Sequence, residues 1–191
     1  GTAYRYVADL LAGAGHNVTI LYALGEHCEN GTIQDWIDQY AERNITFVPL
    51  PQSDLPSSSG SLGKFTALAR RSYEWLLTQS FDVVHVSEWR GTGYYALLAK
   101  HLGLAFADTT FVVKCSSPTL WNKLGGMTTY DKGLHDAALS FMEKRSVELA
   151  DTVVSGSLHL LRWMLGKGYD IPRARTYMQP NIMLTSTLPP A

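Results

Sequence analysis

Cysteine is scarce in this chain of 191 residues. Its two cysteines, Cys28 and Cys115, lie in different segments and lack the C-x-x-C spacing of a zinc site or redox pair, so both are expected to be reduced. An excess of positive charge is missing too. Sixteen Lys and Arg face seventeen Asp and Glu, for a formal net charge of −1, which argues against nucleic-acid binding, where clustered cations must replace phosphate counterions. No apolar run approaches the roughly 20 residues that span a bilayer, and no secretory leader is evident. A cytoplasmic protein is therefore expected. The basic amphipathic helix of a surface binder is not evident either, although peripheral membrane association stays open. The histidines show no zinc-ligand spacing, so no metal is expected. There is no nucleophile elbow, no full Walker motif and no complete G-x-G-x-x-G, which removes the main support for hydrolase, nucleotide-triphosphatase and dehydrogenase readings. Glycosylation-type sequons occur at Asn17, Asn30 and Asn44. Two of them fall at strand starts, where a glycan is awkward, and chance explains them better.

What the chain does contain is alternation. With 46% hydrophobic residues it has the composition of an ordinary globular protein. Val7, Leu10, Leu11 and Ala14 fall on one helical face, Gly15 supplies a left-handed stop, and residues 18–22 form an apolar run of strand length. Further pairs follow. A helix is expected over 33–43 and a strand over 45–50, then a Pro-, Ser- and Gly-rich loop over 51–63. Phe65, Leu68, Ala69, Ser72 and Leu76 trace the next helix, and 81–86 reads as a buried parallel strand. Helix 93–102, strand 110–114, an irregular stretch 118–130, helix 132–150, strand 152–155, helix 158–167 and a short strand 176–178 complete the series. Such alternation predicts an α/β fold, a Rossmann-like parallel sheet with helices on both faces, forming one domain over residues 1–191. A helix of this kind normally joins two strands, so the opening helix leads one to expect a strand ahead of Gly1.

In parallel sheets ligands bind beyond the carboxyl ends of the strands. Gly1 and Thr2 open the first helix, where free backbone N–H groups suit a phosphate; a simple helix cap is the other reading. Ser87-Glu-Trp-Arg-Gly91 leaves the strand at 81–86. Glu88 and Arg90 can bond a polar substrate while Gly91 lets the backbone approach closely, or Ser87 can merely cap the following helix. Ser116, Ser117 and Trp121 follow the strand at 110–114. Hydroxyls beside an aromatic face suit a sugar, and a serine-rich turn before Pro118 is the alternative. His85, inside the strand, reads as a hydrogen-bonded core residue sooner than a base.

The order of these segments resembles a known family. Gly1-Thr-Ala-Tyr4, Phe81-Asp-Val-Val-His-Val-Ser-Glu-Trp-Arg-Gly-Thr-Gly-Tyr94, the run from Phe111 to Trp121, and the stretch from Glu143 through Glu148-Leu-Ala-Asp151 to Ser157, with a closing Gln179-Pro-Asn181, are similar to the N-terminal domain of family-four retaining glycosyltransferases of the GT-B architecture. The resemblance covers nearly the whole chain. It implies two Rossmann-like domains with the active site in the cleft between them. This half would hold the acceptor, and a C-terminal domain, whose paired-glutamate motif is not in this sequence, would hold most of the nucleotide-sugar donor. The fragment alone is accordingly expected to be inactive. By the same resemblance Gly1 and Thr2 approach the donor diphosphate, Ser87, Glu88, Trp89, Arg90 and Gly91 line the acceptor side, and Ser116, Ser117 and Trp121 close around the reacting sugar. Many relatives carry a histidine where Ser116 stands. A serine donates a hydrogen bond but cannot act as a base near neutral pH.

The implied chemistry is transfer of a hexose-type group from a nucleotide sugar to a saccharide or other acceptor, with retention at the anomeric carbon and without a metal or other cofactor, as in polysaccharide biosynthesis. Two alternatives remain at this point: half of a nucleotide-sugar epimerase, which shares the two-domain architecture, or a non-catalytic sugar-binding module, motivated by Ser116. Glu88→Ala is expected to lower turnover more than stability.

Overall fold

The structure, a computed structural model, describes residues 2–23, 31–50, 60–126 and 133–181. Gly1, Cys28, Asn30 and residues 51–59 of the expected loop lie outside them. The chain divides into two compact units. Of the described residues, those up to 50 and Asn181 belong to the first and 60–180 to the second.

The first unit contains α1 (Thr2–Gly13), β1 (Val18–Tyr22), α2 (Ile33–Ala41) and β2 (Ile45–Pro49). α1 stops as its sequence predicts: Gly15 adopts φ 90°, and the N–H groups of Gly15 and His16 return to the carbonyls of Ala12 and Leu11. α2 starts at a capping box, in which Thr32 Oγ1 accepts the Asp35 N–H and the Asp35 carboxylate accepts the Thr32 N–H. β1 and β2 pair in parallel from Val18 with Ile45 to Tyr22 with Pro49. Ala8, Tyr40 and Ile45 form the small core between helices and strands, with Trp36 and Phe47 packed on it.

The second unit runs through α3 (Gly60–Leu76), β3 (Val83–Ser87), α4 (Tyr94–His101), β4 (Thr110–Cys115), α5 (Thr119–Gly125), α6 (Leu134–Leu149), β5 (Thr152–Ser155), α7 (Leu158–Gly166) and β6 (Thr176–Met178). Its sheet is parallel throughout, in the order β3-β4-β5-β6. β4 is the centre: Phe111, Val113 and Cys115 are buried on one side among Leu97, Val147, Val153 and Met164. This α/β architecture of parallel sheets flanked by helices is the Rossmann-like fold expected of half a GT-B enzyme.

Three local expectations need correction. Residues 60–63 belong to α3 rather than to a loop. The stretch expected to be irregular contains α5, whose first N–H, that of Thr119, bonds Glu143 far away in sequence. Among the described residues β3 is the first strand in the order of the second unit's sheet; Val83 on it is 48% exposed, and His85 is exposed rather than a core residue.

Candidate functional site at the carboxyl ends of the strands

The register aligns Ser87 with Lys114 and Cys115 with Ser155, so the segments leaving β3, β4 and β5 emerge side by side. Immediately after β3 comes Glu88, which is fully buried. Its Oε1 accepts the N–H groups of Ser116 and Ser117, both at 2.7 Å, and its Oε2 accepts the Ser87 hydroxyl at 3.0 Å. One carboxylate thus ties the exit of β3 to the exit of β4.

A second buried glutamate lies behind it. Glu143 sits on the inner stripe of α6 with Leu139, Met142, Ser146 and Val147. Its Oε1 accepts the Arg90 N–H at 2.9 Å and, from Thr119, the N–H at 3.0 Å and the hydroxyl at 2.5 Å. Tyr169 donates its hydroxyl to Oε2 at 3.4 Å. The Thr119 bond satisfies the first of the opening N–H groups of α5, which have no partner within the helix.

Electrostatics follow from depth. Burial pushes the Glu88 carboxyl up to about 6, although the donors from Ser116, Ser117 and Ser87 pull it down and Glu143 repels it. Burial likewise raises Glu143 against the bonds from Thr119, Arg90 and Tyr169. Lys114 is lowered by burial and partly restored by Glu88. The Tyr169 hydroxyl and Cys115 thiol are both raised, first by burial and then by the neighbouring carboxylates.

Backbone geometry between the two glutamates is equally constrained. Arg90 adopts φ 61° and ψ 10°, a left-handed conformation that costs an L-residue roughly 1–2 kcal/mol. Gly91 follows with φ 61°, and a Cβ there would stand 2.5 Å from Met142 Cβ, so only glycine fits. Trp89 is 38% exposed and donates its N–H to Ser87 Oγ. Ser116 is exposed and Ser117 partly buried. Trp121, on α5, meets His159 and Trp163 edge-on, with ring centroids 5.6 and 5.1 Å apart.

Ser87 to Gly91, Ser116 and Ser117 are therefore brought together, with Trp89 and Ser116 exposed and Glu88 and Gly91 buried beneath them, and Trp121 follows close behind in the chain. Gly1 lies outside the described residues, and Thr2 opens α1 in the first unit. Glu143, Thr119, Tyr169 and Trp163 were not singled out from the sequence as site residues. For Glu143 a signal existed, an acidic residue on the apolar stripe of a helix. Among the described residues no group of three His, Cys, Asp or Glu side chains is placed to hold a metal ion.

A family model of the glycosyl transferase 4-like domain matches residues 1–181. The chain belongs to this family. No curated protein matches it. The strand-end surface is thus part of a glycosyltransferase domain, and its buried glutamates are the framework of that domain's loops. No helix among the described residues is long and apolar enough to cross a membrane.

Proposed function

We propose that this domain forms the acceptor side of an enzyme that moves a hexose-type group from a nucleotide sugar to a saccharide-type acceptor with retention. The observation that carries this reading is the convergence of four backbone N–H groups, from Arg90, Ser116, Ser117 and Thr119, on two buried carboxylates. On these anchored loops Ser116 and Trp89 are exposed, a hydroxyl and an aromatic face, the pair of surfaces a sugar needs. Glu88 acts in this scheme as a positioning residue behind the loop. Ser116 and Ser117 supply hydroxyls toward the sugar, and Trp89 supplies a ring.

Transfer builds positive charge on the sugar and negative charge on the departing diphosphate. The start of α1 at Thr2, with no acidic residue in its first turn, would oppose the second charge through its backbone N–H groups. A second, donor-holding domain, a cytoplasmic location and a metal-free reaction belong to the same reading. Ser116 favours one other reading, a sugar-binding module without turnover, because it offers no group that accepts a proton near neutral pH.

The test is to incubate the full-length protein with a panel of nucleotide sugars, with and without saccharide acceptors, and to assign product configuration by NMR coupling constants. Acceptor-dependent product with the donor's configuration supports the proposal. Inverted product refutes retention, donor conversion without acceptor indicates an epimerase, and binding without turnover indicates the module.

A further inference from the structure

The guanidinium of Arg90 lies over two aromatic rings, 4.3 Å from the centroid of Phe65 and 3.9 Å from that of Trp89. Such contacts stabilise the cation through the ring quadrupoles without using its N–H donors. Among the described residues no ion pair and no side-chain hydrogen bond holds this guanidinium. Glu143 exerts a field on it but is bonded to Thr119, Tyr169 and Arg90's own N–H. A partly buried arginine is thus oriented and charged, with its donor edge unused by any described residue.

A second observation points the same way. Position 90 is left-handed, where glycine or asparagine costs less than arginine. The turn is held there from both sides, by Glu143 on the Arg90 N–H and by Met142 against Gly91. Strain kept at a ligand-facing turn is a mark of a residue retained for what its side chain does.

We infer that Arg90 is the anion contact of the acceptor site and takes an oxyanion, a phosphate ester or a carboxylate, carried by the saccharide acceptor. This rests on the acceptor-side reading given above. The planar fork of the guanidinium matches both groups with paired hydrogen bonds. Trp89 and Phe65 hold the fork in place, which lowers the ordering cost of binding. A neutral saccharide would meet the same hydroxyls and rings without this contact.

The experiment titrates the full-length protein by calorimetry with glucose, glucose 6-phosphate, glucuronate and uridine diphosphate, and repeats the series with Arg90→Asn and Arg90→Lys. Asparagine suits the left-handed backbone, so thermal unfolding of Arg90→Asn should stay near the wild type while its binding changes. Expected is at least about tenfold tighter binding of an anionic sugar than of glucose, abolished in Arg90→Asn and partly kept in Arg90→Lys, with glucose affinity unchanged. Glucose 6-phosphate against glucuronate tells phosphate from carboxylate. Equal binding of glucose and both anionic sugars overturns the charge assignment and leaves the acceptor-side reading standing. An Arg90 dependence confined to uridine diphosphate moves the contact to the donor and also overturns it. No binding of any sugar to the wild type sinks both readings. If Arg90→Asn loses thermal stability while its folded fraction binds as the wild type does, Arg90 is only a cover for Phe65.

Discussion

Replacing Glu88 with glutamine keeps an oxygen to accept the Ser116 and Ser117 N–H groups and deletes the buried charge. The wild-type carboxyl is pushed from 4.5 to about 6, chiefly by burial. At about 1.4 kcal/mol per tenfold change in proton affinity, that displacement corresponds to roughly 2 kcal/mol. The sign follows from which state holds the proton. Between 4.5 and 6 the folded protein keeps a proton on Glu88 that the unfolded chain has released, so rising pH favours unfolding through this group. Its stabilising contribution is full below the unfolded value and lost as pH climbs through the folded one. Glu143, Lys114, Tyr169 and Cys115 face the same carboxylate. They are present in both proteins, so their own titrations largely cancel in the difference. Urea denaturation of wild type and Glu88→Gln from about pH 4 to about pH 8 should show the variant gaining roughly 2 kcal/mol relative to wild type, mostly between 4.5 and 6, then levelling. Parallel profiles would refute the claim that burial dominates. A wild type that gains relative stability as pH rises would show that the three donors outweigh burial.

Other outcomes follow from the same geometry. Glu88→Ala should destabilise at every pH by about 1–3 kcal/mol for each stranded N–H group, so stability falls along with turnover rather than less than it, measurable by denaturation beside kcat per folded molecule. Gly91→Ala should cost about 3 kcal/mol or more, since it combines left-handed backbone with a Cβ forced onto Met142; a midpoint shift near zero in denaturant would contradict the contact. Asp151→Ala removes the acceptor of the Phe111 N–H at 2.7 Å and of Lys100. A loss of about 1–2 kcal/mol is expected, mainly from the buried N–H, and Lys100→Met should cost less because that ion pair is only partly buried. Cys115 should resist iodoacetamide in the native protein and label only on unfolding, because burial raises its thiol; peptide mapping by mass spectrometry separates it from Cys28.

The elements most readable from sequence were those with local cues. β5 and β6 fall where their short apolar runs place them, and α1 ends at Gly15 because a left-handed glycine is a local property. α5 escaped because its opening is stabilised by Glu143, 24 residues downstream, while Pro118 and the nearby glycines argue for a loop. The alternation of α and β carries no information about strand order, so the apolar run of β3 read as buried although, among the described residues, it comes first in the order of its sheet. At the site, the residues leaving β3 and β4 could be named from their position at strand ends. Their division of labour could not. Glu88 looks like a ligand contact in sequence and is fully buried in the fold, because the N–H groups that hold it lie 28 and 29 residues away.

Each glutamate anchors its loops through two backbone N–H groups, which every residue except proline possesses. Side chains at 89, 90, 116 and 117 can therefore be exchanged without dismantling the loops that carry them. Gly91 and the two carboxylates cannot. A domain built this way separates the inheritance of its shape from the inheritance of its preferences: a lineage can acquire a new acceptor by changing a few outward residues while the framework beneath them stays the same.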